Sequence, residues 1–336
     1  MMDAGEAAER LGFSAEGCVR FAGMTAANGL EMPENAAELL EYCGVAERDR
    51  REMLAARPDP EAEPEWWALT AALAGGLERD LEKPLPATGH QAWPVVPGSS
   101  TEVGMWAWAW ALLASLPRLL EVHARRGVPE TVTKATVGAL GGVMGSHREI
   151  YGRAGVGLMP LWGPPLRFRG ADFEIGRHSF TRTQLGLGDG VAGHLLMVHV
   201  PPTGPLDATV SEQSIAAAVR LFPQWYPDEP LFGLVCPSWL LDPQLAEYLP
   251  EDSNILTFQR RFTILPLLPP STPYEGDHEL MRLALQLNPP PGALTAEDLA
   301  RVPQDTTLQR AFVSHLSAGR HFHLRIGLRI LSNPVE

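Results

Sequence analysis

Apolar positions recur at helical spacing through the first 150 residues, in segments rich in Ala, Glu, Leu and Arg. Prolines near segment starts and glycines after segment ends agree with helix boundaries. The spacing predicts six helices, at residues 4–11, 34–42, 46–56, 66–81, 102–126 and 129–147. The helix at 102–126 closes with Arg125 and Arg126 before Gly127, an order that the helix dipole and a glycine stop both favour.

The pattern changes after Gly157, where partly alternating segments rich in Phe, Ile, Val, Leu and Thr predict strands. These strands are predicted at residues 158–168, 172–187 with a break at Gly176, 194–200, 231–236, 255–265 and 322–331. Three helices are predicted among them, at residues 209–222, 242–248 and 308–318.

Short local signals mark the boundaries of these elements. Gly188-Asp189-Gly190 has the composition of a hairpin turn. Thr209 and Glu212 have the spacing of a capping box at the start of a helix. Asp242 followed by Pro243 predicts a helix cap with proline at the first helical position.

The order of these elements predicts an α+β chain with two domains. Residues 1–150 form a helical domain, and residues 157–336 form a mixed β-sheet domain flanked by helices. Strands 194–200 and 231–236, joined through a helix, predict a parallel pair near the middle of the sheet. Ligands often bind where neighbouring strands diverge, which here lies beside the helix that starts at Thr209.

Length and charge limit the classes of function. A chain of 336 residues is long enough for two domains of ordinary size. Its formal net charge of −13 argues against nucleic acid and anionic lipid surfaces as partners, because phosphate backbones need a dense basic surface. A few well-placed donors can still bind an anionic small molecule locally.

The cysteines and the N-terminus predict a cytoplasmic protein. Cys18, Cys43 and Cys236 are widely spaced and form no Cys-x-x-Cys pair, which suits a reducing compartment. The N-terminal segment is acidic and lacks the basic-then-apolar order of a signal peptide.

The apolar run Val103–Leu116 predicts a buried helix rather than a membrane span. Its length falls short of the roughly 20 residues that a bilayer span needs. Trp106, Trp108 and Trp110 lie about 200° apart per step on a helix, which favours core packing over a one-sided acyl pocket.

Several local motifs in the second half are distinctive. They are His199-Val200-Pro201, Gly204–Asp207, Ser238–Leu245, Leu249-Pro250, Ser253-Asn254-Ile255 and Phe258–Phe262. Together they resemble the GNAT-like C-terminal domain of a family of actinobacterial acyltransferase-domain proteins. Members of that family also carry a helical N-acyltransferase N-terminal domain, which Met1–Gly157 matches in length and texture. The resemblance covers nearly the whole chain.

The resemblance implies transfer of an acyl group from acyl-CoA, or from a carrier-protein thioester, to an amine or hydroxyl of a small-molecule acceptor, without a metal. In the GNAT fold a loop and the following helix N-terminus take the CoA diphosphate, because free N–H groups and the helix dipole favour an anion. The matching positions here are Val200, Thr203, Gly204 and Thr209. The usual Arg/Gln-x-x-Gly-x-Gly/Ala loop is replaced by Val200–Asp207, whose prolines remove N–H donors.

Four side chains are candidates for the chemistry of acyl transfer. His199, at the end of an apolar strand, is a candidate base, and Tyr248 resembles the general acid of the GNAT fold. Cys236 is a candidate nucleophile with His199 as its base, and Ser238 is a candidate nucleophile, ligand donor or helix cap. Each also has a structural interpretation: a core histidine, an aromatic anchor, a small buried hydrophobe and a cap.

Three hypotheses of function follow. The first is an acyltransferase, the second a non-catalytic GNAT-like ligand-binding module, and the third a thioester hydrolase using Cys236 or Ser238 with His199. The sequence lacks a Gly-x-Ser-x-Gly elbow, which argues against the usual α/β-hydrolase form of the third. His315, His321 and His323 superficially suggest a metal site, but no carboxylate or cysteine completes a recognisable ligand set.

Overall fold

The computed structural model describes residues 2–25, 30–187, 190–202, 204–266 and 274–331. The chain forms two compact units, Met1–Glu174 and Ile175–Glu336. The domain division predicted from the sequence, at residues 150–157, stays a prediction. The predicted turn at Gly188-Asp189 falls outside the described residues, as does Thr203.

The first unit is helical. Its helices are α1 (Ala4–Arg10), α2 (Ala15–Ala22), α3 (Ala36–Tyr42), α4 (Glu47–Ala55), α5 (Pro64–Arg79), α6 (Glu102–Arg126), α7 (Glu130–Tyr151) and α8 (Gly163–Phe168). The six predicted helices are confirmed, with ends that shift by a few residues. The strand predicted at 158–168 is wrong, because Pro164 and Pro165 begin α8 there.

Helix α6 is the core helix of this unit. The Thr101 hydroxyl accepts a hydrogen bond from Gly104 N, and Gly127 ends the helix in the left-handed conformation. The three tryptophans of α6 are fully buried, as predicted; they are Trp106, Trp108 and Trp110. By length and composition α6 could cross a membrane, but 67% of its apolar window is buried inside the protein, which agrees with a core helix.

A mixed sheet has the strand order β1-β2-β3-β4-β6-β5, and its strands β2 to β6 all lie in the second unit. The strands are β1 (Asp172–Ile175), β2 (His178–Leu187), β3 (Gly190–His199), β4 (Leu231–Ser238), β5 (Thr263–Ile264) and β6 (Arg325–Ile330). β2 and β3 are antiparallel, and the predicted parallel pair, β3 with β4, is confirmed. β6 returns antiparallel to β4.

Helices of this unit are α9 (Ala208–Trp225), α10 (Asn254–Gln259), α11 (Glu275–Glu279), α12 (Ala296–Ala300) and α13 (Thr307–Ser317). The strand predicted at 255–265 is wrong over most of its length, because the Ser253 hydroxyl caps α10 and only Thr263–Ile264 is extended. The short helix predicted after Asp242 forms as a 3₁₀ helix at Pro243–Glu247, with Asp242 as its cap.

The start of α9 differs from the predicted capping box. The carboxylate of Asp207, rather than Thr209, caps the helix by accepting the N–H groups of Thr209 and Val210 at 2.9 Å each. Aspartate is among the strongest N-cap residues, and its charge complements the helix dipole.

Candidate active site

The parallel strands β3 and β4 diverge at their carboxyl ends. Their pairing runs as far as Met197 with Val235. β3 then continues to His199, while β4 continues to Ser238 and pairs there with β6. The ligand site predicted from the sequence is at this divergence, beside the start of α9.

His199 lies on a sheet face that carries hydroxyl groups. β2 and β3 pair Thr181 with Met197, and side chains alternate across a strand, so His199 shares its face with Thr181 and the neighbouring Ser179 and Thr183. The Nε2 atom of His199 lies 3.1 Å from Oγ1 of Thr181, which is fully buried. An imidazole at the end of β3 is therefore held by a neighbouring hydroxyl.

The two candidate nucleophiles lie on the opposite face of the sheet. Because Met197 pairs with Val235, Cys236 and Ser238 alternate away from the face of His199. Cys236 is 1% exposed, and burial raises the pKa of its thiol to about 12, so the thiol stays protonated. This geometry argues against the Cys236–His199 pair. The Ser238 hydroxyl accepts a hydrogen bond from Leu240 N at 3.1 Å, which is the cap role considered for it.

Tyr248 is held by α13. Its hydroxyl lies 2.9 Å from Nδ1 of His315, and the two rings meet edge to face. His315 is fully buried, and burial lowers the pKa of its imidazole. Among the described contacts Tyr248 meets α13 and not His199, as expected of an aromatic anchor; its role as general acid stays a prediction.

The structure pairs His321 with a carboxylate that sequence reasoning missed. Nδ1 of His321 lies 2.7 Å from the buried carboxylate of Asp277, which also accepts Phe322 N at 2.8 Å. The two partners are too far apart in the sequence for any spacing rule to connect them. No group of three His, Cys, Asp or Glu side chains that could hold a metal ion occurs in the described part of the chain.

The loop between β3 and α9 is organised around Arg177. Its guanidinium donates hydrogen bonds to three loop carbonyls, from Nε to Pro205 at 2.9 Å, from Nη1 to Pro201 at 2.9 Å and from Nη2 to Gly204 at 3.1 Å. Gly204 adopts a positive φ of 69°. Sequence reasoning missed Arg177; its only signal was the strand break at the adjacent Gly176.

The residues predicted to bind the donor have mixed surroundings. Gly204 directs its carbonyl to Arg177, the N–H of Thr209 is taken by Asp207, and Val200 packs against the small apolar cluster around Trp239. These three roles as donor contacts stay predictions.

A polar network covers the first turns of α9. Arg261 donates to the Ser211 hydroxyl at 2.6 Å and to the Ala208 carbonyl at 2.5 Å, and Glu212 accepts from Arg329 at 3.1 Å. Nε2 of His178 also lies 2.6 Å from the Ser211 hydroxyl. An open groove of about 480 Å³ runs along this helix face, lined by Ala208, Thr209, Glu212, Gln213, Ala216 and Arg261.

Burial lowers the pKa of His178 to about 4, and the nearby Arg177 and Arg261 act in the same direction. His178 is therefore neutral at physiological pH, and the network beneath the loop contains a neutral imidazole between two arginines.

Comparisons with known proteins match both units. Residues 34–169 match the N-acyltransferase N-terminal domain, and residues 173–329 match the GNAT-like C-terminal domain. No curated protein sequence matches.

Solved structures match the chain over nearly its whole length. An acyltransferase in complex with decanoyl-CoA is 30% identical, over 98% of this chain and 100% of that chain, with a TM-score of 0.82. An acyltransferase in complex with CoA and 10C-teicoplanin is 29% identical over the same shares, with a TM-score of 0.84. A complex with decanoyl-CoA and teicoplanin is also 29% identical over those shares, with a TM-score of 0.83. The chain is therefore an acyltransferase of the family that joins an N-acyltransferase N-terminal domain to a GNAT-like C-terminal domain.

Proposed function

We propose that this enzyme transfers an acyl group from acyl-CoA to an amine of a small-molecule acceptor, with a hydroxyl as the second acceptor class. The carrying observation is the divergence of β3 and β4 beyond Met197 and Val235, with His199 at the end of β3. The bound decanoyl-CoA and teicoplanin of the similar acyltransferases support a thioester donor and a small-molecule acceptor.

The chemistry requires a base for the acceptor ammonium. In the proposed step His199 accepts a proton from the ammonium, and the free amine attacks the thioester carbonyl. The tetrahedral intermediate then loses the extra proton on its nitrogen and collapses as the C–S bond breaks, and the leaving CoA thiolate takes up a proton, so that the products are an amide and the CoA thiol. Thr181 orients the imidazole through the contact at Nε2. Tyr248 remains the candidate donor of the last proton.

The hydrolase alternative is weakened by the sheet register. Cys236 and Ser238 lie on the face opposite His199, so the imidazole of His199 cannot activate them.

The cytoplasm is the proposed location, because Cys18, Cys43 and Cys236 are all free thiols.

The test compares His199→Ala and His199→Gln with the unaltered enzyme, using decanoyl-CoA and a panel of amine acceptors. Release of free thiol and formation of the acylated product are both measured. We expect transfer to fall by roughly 10²-fold or more, with little change in the KM for the donor. His194→Gln, in the middle of the same strand and on its opposite face, should leave transfer unchanged.

Other outcomes are equally informative. Near-normal transfer in both His199 variants would remove His199 from the mechanism. Thiol release by the unaltered enzyme without any amine would support a hydrolase. Binding of acyl-CoA with neither reaction would support a non-catalytic module.

A further inference from the structure

We infer that the donor is recognised through its acyl-pantetheine arm and not through an N–H cradle for the CoA diphosphate. Thioesters that lack the nucleotide should therefore serve as donors. The inference rests on the proposed transfer from a thioester. It concerns the described residues of the loop, 200–202 and 204–207, and the first turn of α9.

The loop presents acceptors where a diphosphate would need donors. The carbonyls of Pro201, Gly204 and Pro205 converge on the guanidinium of Arg177. Two of these carbonyls, those of Pro201 and Gly204, belong to peptide bonds whose nitrogen is the nitrogen of Pro202 or Pro205. A proline nitrogen carries no hydrogen, so these two peptide groups cannot donate a hydrogen bond to a phosphate. This part of the loop is organised around a cation, the reverse of an anion cradle.

The position of Arg177 is fixed by the turn before β2. Gly176 has a positive φ of 64°, and a Cβ at this position would lie 3.2 Å from the Ser214 hydroxyl of α9. The same hydroxyl accepts His178 N at 3.2 Å and donates to the Ile175 carbonyl. The turn is therefore attached to α9 on both sides of Arg177.

The helix start is also unsuited to a diphosphate. The carboxylate of Asp207 accepts the N–H groups of Thr209 and Val210, and its backbone carbonyl accepts Ser211 N. The N–H groups of Thr209 and Val210 are two of the free donors that a phosphate would use at a helix N-terminus, whereas the Ser211 bond is the first bond within the helix. Asp207 also brings negative charge to the position where the phosphates would lie.

The nearby cations are offset by carboxylates. Arg261 and Arg329 both contact Glu212, and Asp207 lies one turn away on the same helix. Arg261 also directs two of its N–H groups to Ser211 and Ala208. These four side chains carry no net charge together, and Arg177, whose N–H groups are directed to the loop carbonyls, adds one positive charge beside them.

The first experiment compares kcat/KM for decanoyl-CoA, decanoyl-pantetheine and a decanoyl carrier protein with one amine acceptor. We expect decanoyl-pantetheine to lie within about tenfold of decanoyl-CoA. A diphosphate cradle with two charge-assisted hydrogen bonds would separate them by about 10²-fold or more. A separation of that size would overturn the inference. The carrier-protein measurement distinguishes a free thioester donor from one presented by a protein.

The second experiment removes the charge of Asp207 but keeps a helix cap. Asp207→Ser should lower the KM for decanoyl-CoA by about twofold to fivefold, because the repulsion of the phosphates is removed. The KM for decanoyl-pantetheine should not change. Asp3→Ser is the matched control, since Asp3 caps α1 through the N–H groups of Gly5 and Glu6. Asp3→Ser should change neither the KM for decanoyl-CoA nor the KM for decanoyl-pantetheine. Its effect on the free energy of unfolding measures how much the exchange of a helix cap alters stability.

The outcomes separate the inference from the proposed function. A higher KM for decanoyl-CoA in Asp207→Ser, or equal changes for both donors, would overturn the inference while transfer itself stands. No transfer from any thioester by the unaltered enzyme would reject the proposed function, and the inference with it.

Discussion

At the scale of single residues, the contact between Thr181 and His199 decides how the imidazole is held at the end of β3. The Thr181 hydroxyl lies 3.1 Å from Nε2. Thr183 lies two residues along the same strand face and is also buried. The two threonines therefore offer a matched pair of substitutions.

Thr181→Val keeps the shape of the side chain and removes the hydroxyl. We expect kcat/KM for transfer to fall by about tenfold, the size of one lost hydrogen bond. Thr183→Val should stay close to the unaltered enzyme, and Thr181→Ser should recover most of the loss. Equal losses in the two valine variants would show a packing effect instead.

The three thiols should differ in reactivity. Burial raises the pKa of Cys43 and of Cys236 to about 12, whereas Cys18 is partly exposed. The thiolate is the reactive form, so a disulfide reagent at pH 8 should label Cys18 alone in the folded protein. Labelling of all three is expected after unfolding. Cys236→Ala should keep transfer, and rapid labelling of Cys236 in the folded protein would contradict this account.

The sequence predicts features of the site that depend on a single strand. It does not predict features that depend on how two strands are paired. The end of β3 at His199 follows from local pattern. The opposite faces of His199 and Cys236 follow from the pairing of Met197 with Val235, which no property of either strand alone specifies. Arg177 was missed because its loop partners lie more than 20 residues away in the sequence.

At the scale of elements, helix caps and prolines decided which secondary-structure predictions were confirmed. Helix α6 was predicted with its observed ends, because Thr101 and Gly127 mark them. The apolar segments at 158–168 and 255–265 were predicted as strands from β propensity. Prolines in α8 and the Ser253 cap of α10 favoured short helices there instead. Propensity is a weak guide when a segment is too short to show a period.

The packing of α7 against the turn at Gly44 gives a prediction for two adjacent glycines. A Cβ at Gly141 would lie 2.3 Å from the Gly44 carbonyl oxygen, whereas a Cβ at Gly142 would meet nothing within 4 Å. Gly141→Ala should lower the free energy of unfolding by roughly 1–3 kcal/mol, because backbone must move. Gly142→Ala should raise it by about 0.5–1 kcal/mol through helix propensity.

Urea unfolding of the two variants beside the unaltered protein measures both effects. A stabilised Gly141→Ala variant would mean that α7 does not approach Gly44 as closely as described.

At the scale of the whole molecule, buried histidines link stability to pH in each of the two units. Burial lowers the pKa of His123, in the helical unit, and of His178, in the sheet unit, from 6.5 to about 4. Both are at most 1% exposed. The unfolded chain therefore takes up protons near pH 6.5 that the folded chain accepts only near pH 4.

The stability that these two histidines contribute should be fully present above pH 6.5 and should fall as the pH decreases toward 4. At pH 5 the expected loss is on the order of 2 kcal/mol for each histidine. Denaturant unfolding at pH 7 and pH 5 measures this loss. His123→Gln should reduce the dependence on pH. An unchanged free energy of unfolding between pH 7 and pH 5 would contradict the prediction.

The tryptophans, three of which lie in α6, are distributed unevenly between the two units, so tryptophan fluorescence reports mainly on one of them. Seven of the protein's nine tryptophans precede residue 175. One of these seven, Trp108, contacts four other aromatic rings. Tryptophan emission therefore follows mainly the helical unit, whereas far-ultraviolet circular dichroism also follows the sheet unit. Unfolding curves that coincide by both probes would mean that the two units lose structure in one cooperative step. Curves that separate would give the order in which the sheet unit and the helical unit unfold.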